Sequence, residues 1–323
     1  MNADQRRRLA EFLGTQRLGP LAQFLQPRYV DLRVSAQDTD VGEIARSEFP
    51  TEEPPISAAP RLFGAYARSL LSRPGRHAVL VGVSGAGKTV TLGRLAADLS
   101  HAAITSLEAG ANPGAIPVWC PAASLPEEQV QKPVDWFAGV LQHGGVFAGS
   151  EALAEELLDS GRAVLLMDSV HEASSVLPGQ LDNVCKLFRL PGVTVVATSR
   201  PGFHAVLEGA AVQVVHLHGF GRAERERLME MNEVTPPQAD ALRRFELRPR
   251  LQGAVEVPQI WQMAIDLCRS GVDLDPIASE AVLYREFIER FGDTECRTLT
   301  GCDWTKAEDR ARYRQEGIGE NNC

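Results

Sequence analysis

Residues 82–89 read Gly-Val-Ser-Gly-Ala-Gly-Lys-Thr, a complete G-x-x-x-x-G-K-[ST] pattern. The chemistry that such a run serves is the holding of a polyphosphate. Its glycines let the backbone wind round phosphate oxygens with N–H groups turned inward. The Lys88 ammonium reaches the β- and γ-phosphates, and the Thr89 hydroxyl is a ligand for Mg2+. An apolar run at His77–Val81 precedes the pattern, and Leu92, Leu95, Ala96 and Leu99 follow it at helical spacing. That strand–loop–helix frame adds the helix N-terminus, which attracts an anion by up to about 2 kcal/mol. Gly82, Val83, Ser84, Gly85, Ala86, Gly87, Lys88, Thr89 and Val90 are therefore expected to line a site for ATP or ADP with magnesium. The plainer alternative, a glycine-rich turn that only links strand to helix, does not call for the full pattern in this context.

Two further strand ends carry candidate chemistry. Ala-Val-Leu-Leu-Met-Asp-Ser-Val-His-Glu at 163–172 ends an apolar run in Asp168. A carboxylate at a strand's carboxyl end, on the phosphate-loop side of the sheet, is what the Mg2+ shell requires. Glu172, four residues on, is placed to orient or activate an attacking water. Taken alone, Asp168 reads equally as a helix cap; Lys88 upstream favours the metal role. The run Val-Thr-Val-Val-Ala-Thr-Ser-Arg-Pro-Gly at 193–202 ends in Thr198-Ser199-Arg200-Pro201. A cation at Arg200 would read the γ-phosphate and stabilise charge developing in the transition state. A surface arginine before a proline turn is the bland reading.

The elements that must position these residues follow from periodicity. Apolar β-rich runs occur at His77–Val81, Ile116–Cys120, Ala163–Met167, Val193–Ala197 and Val212–His216, with helical patterns between them. Continuous apolar strands alternating with helices predict an α/β fold with a parallel sheet covered on both faces. Ahead of it, residues 5–25 have helical spacing (Leu9, Phe12, Leu13, then Leu21, Phe24, Leu25), and 28–34 alternates like a strand. A Pro-rich acidic stretch at 47–60 reads as linker. Beyond about residue 220 the strands stop, and 222–232, 256–269 and 279–291 read as helices. The division expected is an N-terminal segment at 1–60, a nucleotide-binding domain at 61–217, a helical subdomain at 218–291 and a disordered or truncated tail at 292–323.

Lys and Arg number 33 against 42 Asp and Glu, a net charge of −9, and no long basic block occurs. This argues against a nonspecific nucleic-acid or anionic-membrane binder. No stretch of about 18 apolar residues is found, so no membrane span is expected, and a cytoplasmic location is. Six cysteines lie scattered without zinc spacing.

The combination of Gly82–Thr89, Leu-Leu-Met-Asp-Ser-Val-His-Glu and Val-Val-Ala-Thr-Ser-Arg-Pro resembles the NACHT branch of the STAND NTPases over roughly residues 28–291. That branch typically shows D-G-h-D-E after its acidic strand; Asp168, Ser169, Val170, His171 and Glu172 occupy those places, with His171 where the first acid of the pair stands. Its T-S-R-P strand is matched by Thr198–Pro201. Glu-Val-Pro at 256–258 is similar to its adenine-side G-x-P segment, with Pro258 as the proline, and 283–291 resembles the start of its winged-helix domain. The resemblance implies a P-loop NTPase fold and a regulatory switch in signalling or defence, of which this chain would be the nucleotide-binding core. ADP would hold one state and ATP another, with slow turnover resetting it, and activation would bring self-association or a protein partner. A nucleotide-gated scaffold with little hydrolysis and a P-loop kinase remain the alternatives. Reaction products separate the three: phosphate alone, no turnover, or a phosphorylated acceptor.

Overall fold

Uninterrupted aliphatic runs leave no polar edge to turn toward water, so they are satisfied only as strands covered on both sides. The computed structural model describes residues 3–18, 29–37, 61–72, 76–122, 133–143, 150–171, 180–190, 192–202 and 212–299. Its strands are β1 (Arg33–Gln37), β2 (Arg61–Leu62), β3 (His77–Val81), β4 (Ile116–Pro121), β5 (Ala163–Asp168), β6 (Val193–Ser199) and β7 (Val212–Leu217). The helices are α1 (Ala3–Leu18), α2 (Phe63–Leu71), α3 (Lys88–Glu108), α4 (Pro133–His143), α5 (Ser150–Asp159), α6 (Gln180–Leu187), α7 (Arg222–Met231), α8 (Pro236–Glu246), α9 (Pro258–Arg269) and α10 (Glu280–Leu299).

The chain divides into two units, the first comprising Met1–Pro27, Asp31–Val83 and Gly87–His218. Its seven-stranded sheet has the order β2-β1-β7-β3-β6-β5-β4. The run β7-β3-β6-β5-β4 is parallel throughout, while β1 pairs antiparallel with β7 and β2 with β1. Register aligns the carboxyl ends that matter: Val81 lies opposite Ser199, and Met167 opposite Ala197. Strand alternation sends Val79, Val81, Leu165, Met167, Val195 and Ala197 to one face, against Leu9, Phe12 and Leu13 of α1 and aromatics of α4. Ala78, Leu80, Leu166 and Val196 go to the other, against Tyr66 of α2 and Leu92, Leu95 and Ala96 of α3. By the same alternation Asp168 and Thr198 belong to the α3 side.

Three expectations are corrected here. The strand foreseen at 28–34 is Arg33–Gln37, because the preceding residues serve α2 instead: the Gly64 N–H donates to the Asp31 carboxylate at 3.2 Å, and the Phe63 N–H to the Leu32 carbonyl at 2.9 Å. The setting apart of 1–60 also fails, since α1 delivers three fully buried side chains to the sheet core and β1 extends the sheet itself. The foreseen residues Leu21, Phe24 and Leu25 and the whole of the 47–60 linker lie outside the described residues.

The second unit comprises Arg28–Val30, Ser84–Ala86 and Gly219–Cys323, and α7 to α10 belong to it. α8 is absent from the sequence-based expectation, which has no helix between 232 and 256. Proline is tolerated at the first helical position, and the Thr235 N–H donates to Gln238 Oε1 at 3.0 Å, as in a capping box. Ala239, Leu242 and Phe245 then form the buried face. The third correction concerns the tail: α10 continues through residues 292–299, where no proline interrupts it and a single Gly292 costs only about 1 kcal/mol. At the centre of this unit the buried Arg225 guanidinium contacts Glu246 at 2.6 Å, donates to the Phe220 carbonyl at 2.6 Å and stands over the Trp261 ring at 5.9 Å.

Candidate nucleotide site

β3 is buried along its whole length and hands the chain to Gly82, whose N–H donates to the Ser199 carbonyl of β6 at 3.4 Å. The loop then takes left-handed backbone at Gly85 (φ 72°) and Gly87 (φ 85°), which only glycine adopts without strain. A Cβ on Gly87 would stand 3.2 Å from Leu32 Cδ1. Within the second unit, a Cβ on Gly85 would lie 2.7 Å from Gln259 Oε1 and 2.9 Å from Val257 Cγ1, and the Gln259 N–H donates to the Gly85 carbonyl at 3.2 Å. α3 begins at Lys88 with no side-chain cap and no carboxylate of its own in its first turn, leaving the first backbone N–H groups uncapped by the helix's own side chains.

Lys88 arches back over this loop. Its Nζ donates to the carbonyls of Gly82 at 2.7 Å and Val83 at 2.8 Å. Burial, and then the Arg200 guanidinium, push its pKa down to about 8, against the opposing pull of Asp168. An anion at the loop would restore the charge that this environment disfavours.

Thr89, one residue on, donates from Oγ1 toward both Asp168 carboxylate oxygens, at 3.1 and 2.9 Å. A hydroxyl has one hydrogen and two lone pairs, so donation to Asp168 leaves oxygen lone pairs for a cation. Among the described residues no group of three or more His, Cys, Asp or Glu could hold a metal. A Thr hydroxyl and one carboxylate fit Mg2+ nonetheless, because that ion completes its shell with waters and phosphate oxygens and seldom uses an all-protein cage. The glycine cradle fits the phosphates in the same way, since side chains at 85 or 87 would meet their neighbours.

Two contacts were not foreseen. Thr198 Oγ1 donates to Asp168 Oδ1 at 2.6 Å and accepts the Ser169 N–H at 2.8 Å. Ser169 itself has φ 60°, a left-handed residue directly after the acid. Signals for both existed: strand alternation puts Thr198 on the face of Asp168, and position 169 is where the resembling motif has glycine.

The predicted residues thus separate into groups. Lys88, Thr89, Asp168 and Arg200 are brought together at the carboxyl ends of β3, β5 and β6, with Arg200 near enough to Lys88 to depress its pKa. Val83 and Val90 lie largely exposed at the loop and in the first turn of α3. Pro258 opens α9, in the same unit as Ser84, Gly85 and Ala86. His171 is half-buried, and Glu172 lies outside the described residues. No helix among the described residues is long and apolar enough to cross a membrane.

No family model matches the sequence, and no curated protein does. Solved structures similar to the chain include one of the Aeropyrum pernix Orc1 protein in complex with DNA, at 15% identity and a TM-score of 0.42. The match covers 71% of this chain and 65% of that one, less than two thirds of its length. That protein is bound to DNA in its structure, and the expectation that no nucleic-acid binding is evident is withdrawn. Net charge sums over the whole surface, whereas phosphate contacts are made by local groups, so an acidic total does not exclude them. A largely parallel sheet flanked by helices, with the phosphate loop leaving β3 and an acid ending β5, gives this chain the fold of a P-loop NTPase.

Proposed function

We propose that the chain binds ATP and ADP with magnesium, hydrolyses ATP slowly, and acts as a switch whose state follows the bound nucleotide, in the manner of the NACHT-like NTPases its motifs resemble. The observation that carries this reading is the convergence of Lys88, the Thr89–Asp168 pair and Arg200 on the strand ends beside one glycine loop. In this reading the backbone of Gly82–Gly87 and Lys88 hold the phosphates. Thr89 and Asp168 hold the magnesium ion, which draws charge from the phosphate oxygens when bound. Arg200 answers the γ-phosphate, and Glu172 orients the water. The first unit is the nucleotide-binding domain and the second a helical subdomain, in which Pro258 is the proline of the adenine-side segment that the sequence resembles.

His171 favours a second reading, a scaffold with little turnover. An imidazole carries no negative charge in either protonation state, so His171 cannot supply the second negative charge of the resembling motif.

Calorimetry with ATP and ADP tests the principal reading. Lys88→Ala should remain folded and lose tight binding of both, while unchanged affinity in a folded variant would sink it. Phosphate release separates switch from scaffold: Glu172→Gln should slow it at least tenfold, whereas no release from the wild-type chain favours the scaffold.

A further inference from the structure

We propose that Thr198 is a positioning residue for Asp168, using its hydroxyl to hold the metal-side carboxylate in one orientation and to tie it to the strand that carries Arg200. This inference rests on the nucleotide-site reading above. Thr198 is fully buried, so its hydroxyl can address no bound molecule directly. Its direction is nonetheless determined. The Ser169 N–H enters a lone pair at 2.8 Å, and the single hydroxyl hydrogen leaves toward Asp168 Oδ1 at 2.6 Å. Thr89 holds the same carboxylate from α3. Asp168 is therefore gripped from two elements, and each grip leaves carboxylate lone pairs available.

The topology makes this more than a local bond. β6 is inserted between β3 and β5. Thr198 faces Asp168 on one neighbour, while the Ser199 carbonyl takes the Gly82 N–H at the start of the phosphate loop on the other. One dipeptide at the end of β6 thus ties the acid to the loop, and Arg200 follows immediately. Packing alone does not require this hydroxyl, because valine has the same shape. Only its removal leaves both the Ser169 N–H and Asp168 Oδ1 short of a partner.

The test compares Thr198→Val with Thr198→Ser in the full chain. ADP binding is measured by calorimetry with Mg2+ and with EDTA, and exchange of the Ser169 amide is followed without nucleotide. Groups that orient metal ligands typically account for about 10–100-fold in metal affinity. The tightening of ADP by Mg2+ should therefore fall about tenfold or more in Thr198→Val and be kept in Thr198→Ser, with Mg2+-free affinity alike in all three. Ser169 exchange should quicken in the valine variant alone. If the valine variant does not fold, Thr198→Ala replaces it with the same expectation. Full Mg2+ tightening in Val or Ala, or equal loss in Ser, overturns the positioning role alone. No nucleotide binding by the wild-type chain overturns the underlying reading as well.

Discussion

Burial and the nearby Arg200 guanidinium hold Lys88 at about 8, so near pH 8 the ligand-free chain carries this ammonium only part of the time. A bound polyphosphate favours the charged form, and the pKa rises in the complex. Nucleotide affinity should then be greatest below pH 8 and fall as pH rises through that value. Binding at pH 8 should take up about half a proton from this group, and little at pH 6.5. Calorimetry in buffers of different ionisation enthalpy measures the uptake; Lys88→Arg, whose guanidinium stays charged at pH 8, should abolish it. Ser169 offers a second test. A left-handed L-residue costs roughly 1–2 kcal/mol, and glycine escapes that cost while losing some entropy on folding. Ser169→Gly should melt at or above the wild-type temperature, whereas Ser169→Val, with its branched Cβ, should lose about 2 kcal/mol or more in denaturant titration. The gathering of Lys88, Thr89 and Asp168 was legible because glycine loop, lysine and threonine are contiguous and an acid at a strand end is a local signal. The grip of Thr198 on Asp168 was not, since it joins residues thirty apart in sequence across two strands.

At the scale of elements, β6 does the most to assemble the site. Its end is pinned to the phosphate loop through Gly82 and to β5 through Thr198, and the next residue is Arg200. Arg200→Ala should weaken binding of a non-hydrolysable ATP analogue about tenfold while leaving ADP within about twofold, since a charged hydrogen bond contributes roughly 1.5–3 kcal/mol. Equal losses for both nucleotides would show that Arg200 does not distinguish the γ-phosphate. The five parallel strands, β3 to β7, were legible from aliphatic runs, to within a residue or two at their ends. α8 was not, although the T-x-x-Q cap around Thr235 and Gln238 marks its start. β1 was displaced because alternation at 28–34 cannot show that Asp31 is spent on the amide of Gly64.

For the molecule as a whole, acid should be more damaging than base. His77 opens β3, where its Nδ1 accepts the Val195 N–H at 3.1 Å and its ring meets Phe188 edge-on at 5.5 Å. Burial pushes its pKa below the ordinary value. His218, depressed by burial and then by Arg33 and His216, shifts the same way. A histidine kept neutral in the fold takes up a proton more readily when unfolded. Stability is therefore complete above about pH 6.5 and declines as pH falls below it. Denaturant midpoints at pH 7.5 and 5.5 should show that loss, reduced but not abolished in His77→Gln, whose amide oxygen can still accept the Val195 N–H. Identical losses in both chains would place the acid sensitivity elsewhere.

The sequence by itself determined what depends on neighbours along the chain: the phosphate loop, the aliphatic strands and amphipathic helices, and the α/β class that their alternation demands. Each is written within a few residues, where backbone conformation and side-chain period are set locally. Only the tertiary structure decided which strands lie together. The placing of β6 between β3 and β5 brings Ser199 to Gly82 and Thr198 to Asp168, and β1 turns antiparallel against β7. It also decided that α1 completes the sheet's core, because Leu9, Phe12 and Leu13 show the period of a helix but not the surface they cover. Every buried strand in this chain carries much the same aliphatic code, so pairing is chosen by the joint packing of both sheet faces and the satisfaction of a few polar groups at the strand ends.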